Sequence, residues 1–135
     1  MEILSFLKPK NKKQTFVSEN DFIANQDKQL HLSIALLVSL GNPRVEEKEE
    51  FIIDYFFHTD SLEKAQKLEK ELKKLDYIVN HGMAFHDKNL FVVSGRTQEL
   101  KMIQEMLREW ILQMCDLGYN HDCSFDTWRI VIESK

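Results

Sequence analysis

Two acids embedded in apolar runs are the residues that could do proton chemistry: Asp54, within Phe51-Ile52-Ile53-Asp54-Tyr55-Phe56-Phe57, and Asp126, within Phe125-Asp126-Thr127-Trp128. Paired carboxylates in one pocket suit general acid and base work, because burial and neighbours push their pKa values apart. His58, at the end of the first run, would complete a small hydrolase or ligand-binding site if all three converged. No nucleophile accompanies them. Ser94 and Thr97 lack the glycine-flanked elbow that exposes a catalytic serine, and read as turn and cap residues. Cys115, His121 and Cys123 are the best metal candidates, but C-x5-H-x-C lacks the paired spacing of a zinc site. Buried thiols acting as small hydrophobes are expected instead, and no metal or cofactor is assigned. His81 and His86 flank Gly82 on a loop with no carboxylate or third ligand placed there by sequence.

Composition sets the frame for these candidates. The chain has 135 residues, 43% hydrophobic and 30% charged, enough for one domain with its own core and too balanced for wholesale disorder or a disulfide scaffold. Four glycines are too few for a phosphate-cradling loop plus ordinary turns. A net charge of -4 and a pI near 5.7 argue against a grip on phosphates, so no direct nucleic-acid binding is expected. Lys8, Lys10, Lys12 and Lys13 mark residues 1–20 as a flexible basic N-terminal arm, followed by a single domain over 21–135. The opening residues carry an acid and only a brief apolar run before these lysines, unlike a signal peptide, so a cytoplasmic protein with reduced thiols is expected. The longest apolar-rich stretch, 30–40, is interrupted by His31, Ser33 and Ser39 and falls short of the ~20 residues a membrane span needs.

The elements that must position the candidates follow from periodicity. Residues 21–40 read as a helix stopped by Gly41-Asn42-Pro43, apolar on more than one side in its second half. Residues 51–57 read as a strand, and a helix then runs to residue 75, capped by Thr59 or Asp60, with Leu62, Ala65, Leu68, Leu72 and Leu75 on one face. Strands at 77–79 and 90–94 form a hairpin. A long helix opens at Gly95-Arg96-Thr97, with Thr97 as cap and Gly118 as exit, and a last strand covers 123–133. After the leading helix this is βαββαβ, an α+β ferredoxin-like antiparallel sheet with two helices on one face. Both sets of alternate residues in the first strand contain large apolar side chains, so the leading helix or a partner is expected to cover the second face. Pairing of two such faces would make a structural dimerisation module. The third strand lacks the basic-aromatic pattern of an RNA-recognition sheet.

Four segments resemble the RraB family, regulators that inhibit ribonuclease E: Ser39-Leu40-Gly41-Asn42-Pro43-Arg44, Asp54-Tyr55-Phe56-Phe57, the run from Leu72 to Val79, and above all Phe125-Asp126-Thr127-Trp128. The family's ending reads Asp-Gly-Trp-Gly. Asp126 and Trp128 match it, Thr127 and Arg129 replace both glycines, and Asp76 stands where the family has a glycine before Tyr77. The resemblance, over about residues 29–134, implies a small cytoplasmic, non-catalytic protein that binds an RNA-degrading endoribonuclease and lowers its activity by occlusion. Asp54, Phe56, Asp126 and Trp128 are the partner-binding residues expected on that basis. Relatives of this kind are strongly acidic. This milder chain should rely more on its aromatic sheet face and bind with less dependence on salt.

Overall fold

The computed structural model describes residues 15–39, 50–101 and 104–131. Its elements are α1 (Glu19–Ser39), β1 (Glu50–Thr59), α2 (Leu62–Lys73), β2 (Ile78–Met83), β3 (Phe91–Arg96), β4 (Leu100–Lys101), α3 (Gln104–Asn120) and β5 (Ser124–Val131). The basic arm's lysines, Gly41-Asn42-Pro43 and the acidic connector before Glu50 lie outside the described residues. Phe16 and Val17, within the stretch read as an arm, donate their backbone N–H groups to the Asp122 carboxylate at 2.8–2.9 Å.

β1 is the central strand. It pairs antiparallel with β3 on one side and β5 on the other, β2 pairs the outer side of β3, and β4 pairs Glu50 and Phe51. The four long strands therefore run β2-β3-β1-β5, the ferredoxin-like order. Alternation along β1 sends Ile53, Tyr55 and Phe57 to one face, where all three are fully buried with Ala65, Leu68 and Leu72 of α2 and Leu107, Ile111 and Met114 of α3. Trp110 joins this core at 5% exposure, as its helical spacing implies.

The leading helix extends the helix layer instead of covering the second sheet face, which among the described residues is largely open. Phe22 of α1 stacks on Tyr119 of α3 at 4.3 Å between ring centroids, and Leu37 enters the main core. Polar side chains then tie α1 to β5. Gln29, fully buried, donates to the Asp126 carbonyl at 3.0 Å and accepts from the Trp128 indole at 3.0 Å, while Asn25 donates to the Phe125 carbonyl at 2.7 Å.

Three boundaries differ from the expectations of periodicity and capping. Ser61, not Thr59 or Asp60, caps α2 by accepting from the Lys64 N–H. Thr59 instead ends β1, where its hydroxyl donates to the Asp122 carbonyl at 2.9 Å. Thr97 does not begin the long helix: β3 continues through Arg96, the Thr97 N–H bonds Ile53 O, and its hydroxyl accepts from Ile53 N. Leu100, which shares the helical apolar spacing, pairs Phe51 in β4, so ladder bonding prevails over the helical period at that residue, and α3 is described from Gln104. The exit from α3 falls at Asp122, which takes φ 57° and lets Cys123 N–H reach the Gly118 carbonyl; Gly118 itself is still helical.

Gly95 is needed where β3 passes the β2 entry. A Cβ there would stand 1.8 Å from the Ile78 carbonyl oxygen and 2.5 Å from the Tyr55 hydroxyl, which themselves form a hydrogen bond of 2.8 Å. Gly95→Ala should therefore destabilise the fold by about 3 kcal/mol or more, whereas Gly82→Ala, with open space around it, should change stability by under about 0.5 kcal/mol. Urea denaturation of both variants checks this; equal midpoints would contradict it.

Candidate functional site

The open sheet face is built on Asp54. This residue is 7% exposed at the middle of β1, opposite Arg96 of β3 and Arg129 of β5 in the strand register. Arg96 donates through Nε at 2.7 Å to Oδ1 and through Nη2 at 3.2 Å to Oδ2, and Arg129 Nε donates to Oδ2 at 3.3 Å. The Arg96 hydrogen bond is the main cause that lowers the Asp54 pKa below its ordinary value; burial works the other way, and Arg129 adds to the lowering. Asp54 is thus an anchor for two guanidinium groups. A carboxylate held ionised in this way is poorly suited to take or give a proton near neutrality.

Around this triad the face is mixed. Phe56 lies beside it with the Arg129 guanidinium 5.9 Å from its ring centroid, a cation–π arrangement. Asp54, Phe56, Ile78, Ser94, Gly95 and Arg96 line a shallow groove of about 330 Å³. Toward the far end of β1, His58 meets the edge of the Phe16 ring at 5.3 Å between centroids and stands 3.8 Å from the Asp126 carboxylate.

Asp54 and Asp126 do not form a dyad. Between Phe56 and Phe57 the pairing with β5 slips by one residue, so Asp126 is the extra residue of a bulge and its partner is His58. Trp128 also lies apart from Phe56. As the cross-strand neighbour of Tyr55 it points to the helix side, where its indole bonds Gln29 and meets the edge of Trp110 at 6.2 Å. Of the four expected binding residues, Asp54 and Phe56 share the open face, Asp126 sits at its end, and Trp128 is on the opposite side. Arg96 and Arg129, the charged groups of the face, are not marked by any sequence motif. Their signal is the antiparallel register, which sequence spacing alone does not supply.

The other candidates are dispersed. Cys115 and Cys123 are buried core thiols, and burial pushes each up to about 12, leaving little thiolate near neutrality. The Cys123 thiol faces the Lys64 and His121 carbonyls, and His121 turns its ring to Leu117 O. Among the described residues no three His, Cys, Asp or Glu side chains gather as metal ligands. His81 bonds Glu69 of α2, and His86 is exposed. No helix among the described residues is long and apolar enough to cross a membrane. The sequence matches no protein-family model and no curated protein.

Two expectations follow. Gln29→Leu keeps the bulk but strips the Asp126 carbonyl and the Trp128 indole of their partner, and should cost about 1–3 kcal/mol by chemical denaturation; an unchanged midpoint would remove Gln29 as the α1 fastening. Asp54→Asn should cost about 1–3 kcal/mol at neutral pH. Because the folded-state pKa of Asp54 is lowered, that stabilisation is fully present above the unfolded carboxylate value, about 3.9, and is lost as pH falls through the folded value. The gap between wild type and variant should therefore stay level above about pH 5 and narrow below about pH 4 in a denaturation series.

Proposed function

We propose that the protein is a non-catalytic regulator that binds an RNA-processing endoribonuclease of the ribonuclease E type and lowers its activity by occlusion. The observation that carries the binding part is the open sheet face, where Phe56 is flanked by two arginines pre-positioned on a buried carboxylate. Aromatic and arginine side chains held in place before contact lose little freedom on binding, and such groups dominate protein interfaces. The tied-down Asp54, its separation from Asp126 and the unreactive buried thiols favour binding over catalysis.

The choice of partner rests on the resemblance to the RraB family. One backbone feature supports it: Asp76, at the position where the family carries glycine, adopts φ 66°, the left-handed conformation that favours glycine. The replacements at Thr127 and Arg129 fall on the open face as neighbours of Phe56 and Asp54. Where glycines would leave that face bare, this chain has built a charged, aromatic-backed surface. Its acids, Asp54 and Asp126, are balanced by Arg96 and Arg129, so association should be governed by contact more than by long-range attraction.

The test is inhibition of RNA cleavage by a purified ribonuclease E-type enzyme, with direct binding measured in parallel. The wild-type protein should inhibit, with affinity changing little between low and moderate salt, and Phe56→Ala should weaken binding by about tenfold or more while remaining folded. Absence of both binding and inhibition by the folded wild type would defeat the reading. A steep loss of affinity with salt would instead assign the contact to charge.

A further inference from the structure

We propose that the outer edge of β5, beneath the second half of α1, is a docking groove for an extended peptide segment that adds to the sheet as a further strand. Neighbouring helices lie roughly 8–10 Å apart and neighbouring strands about 4.8 Å. A third helix packed beside α3 therefore reaches past β5, over space that one more strand would fill. That space is a groove of about 560 Å³, bounded by Leu32 and Leu36 of α1 and by Trp128, Arg129 and Ile130 of β5. Leu32 is 47% exposed there although it faces an apolar wall.

The backbone on this edge is divided in two. At the bulge, the Phe125 and Asp126 carbonyls are taken by Asn25 and Gln29, which closes the first part of the edge to a partner. From Thr127 to Val131, β5 pairs β1 alone among the described residues, and on such an edge every second residue turns its N–H and C=O outward. An incoming strand would satisfy them, as in strand addition to an exposed sheet edge.

The side chains specify what kind of strand fits. Alternate residues would point up toward Leu32 and Leu36 and should be apolar, β-branched or aromatic. The intervening residues would lie on the open face beside Arg129, whose side chain is 72% exposed and which shares the single Asp54 carboxylate with Arg96, leaving the face locally positive. An aspartate or glutamate at the position opposite Arg129 gives the favourable cross-strand pair. The occupant is thus an extended segment of alternating apolar residues bearing one acid. The groove shares Arg129 with the Phe56 surface, but its apolar wall of Leu32 and Leu36 lies on the helix side of β5, so Leu32→Glu tests it separately from Phe56→Ala, and it does not depend on the identity of the partner enzyme.

Short random peptides displayed on phage and selected against the full-length protein test this. Selected sequences should show apolar residues at alternate positions and one acid, and their binding should slow hydrogen exchange at the backbone amides of Thr127 to Val131. Leu32→Glu, at a half-exposed position, should weaken binding by about tenfold or more without loss of folding. Arg129→Glu should do the same, and replacing the peptide's acid with arginine should restore affinity to the Arg129→Glu protein. Failure to select any peptide, or selected peptides that bind Leu32→Glu as tightly as wild type, would overturn the proposal. So would a dimer in sedimentation that Leu32→Glu converts to monomer, because the groove would then serve a second copy of this chain.

Discussion

The amide of Gln29 is fully buried, yet its donor reaches the Asp126 carbonyl and its acceptor receives the Trp128 indole. Leaving these groups without partners inside the protein would cost more than their bonding gains, so α1 has one docking position along β5. That position lies in the helix layer beside α3. Two features of the surface follow from it: α1 does not cover the second sheet face, and the helix layer projects beyond the last strand among the described residues.

The uncovered face is tolerable because charge is placed at its centre. Asp54 would be costly in a half-buried strand by itself, and two cross-strand guanidinium groups offset that cost. The arginines are held in return, with one drawn over Phe56. The contacts that keep Asp54 ionised thus also orient both guanidinium groups on the sheet face. A second junction, at Asp122, binds the other end of the molecule. Its carboxylate receives two backbone N–H groups from the N-terminal segment and the Lys64 ammonium, which joins the start of the described chain to α2 and to the turn before β5. Burial opposes the charge on Lys64, but its bonds to Asp122 and Asp60 raise its pKa overall.

Most of the element order is legible in the amino-acid sequence. The β-branched and aromatic run around Ile53, the leucine stripe of α2 and the spacing of Leu107, Trp110 and Met114 carry their own periods, and those periods decide strand or helix locally. The start of the long helix is not legible, because Leu100 satisfies a helical period and a strand pairing equally well. Choosing between them requires Ile53, whose backbone bonds Thr97.

The candidate site divides along the same line. Composition and alternation by themselves determined an α+β sheet with two apolar faces and an acid in the middle of one strand, since these depend only on neighbours in the chain. Which side chains meet that acid, that Asp126 is thrown out of register by a bulge, and that Trp128 faces the helices were decided by tertiary structure. A one-residue shift between β1 and β5 reverses the face on which a side chain falls, and that register is set by pairing between segments some 70 residues apart, about half the chain.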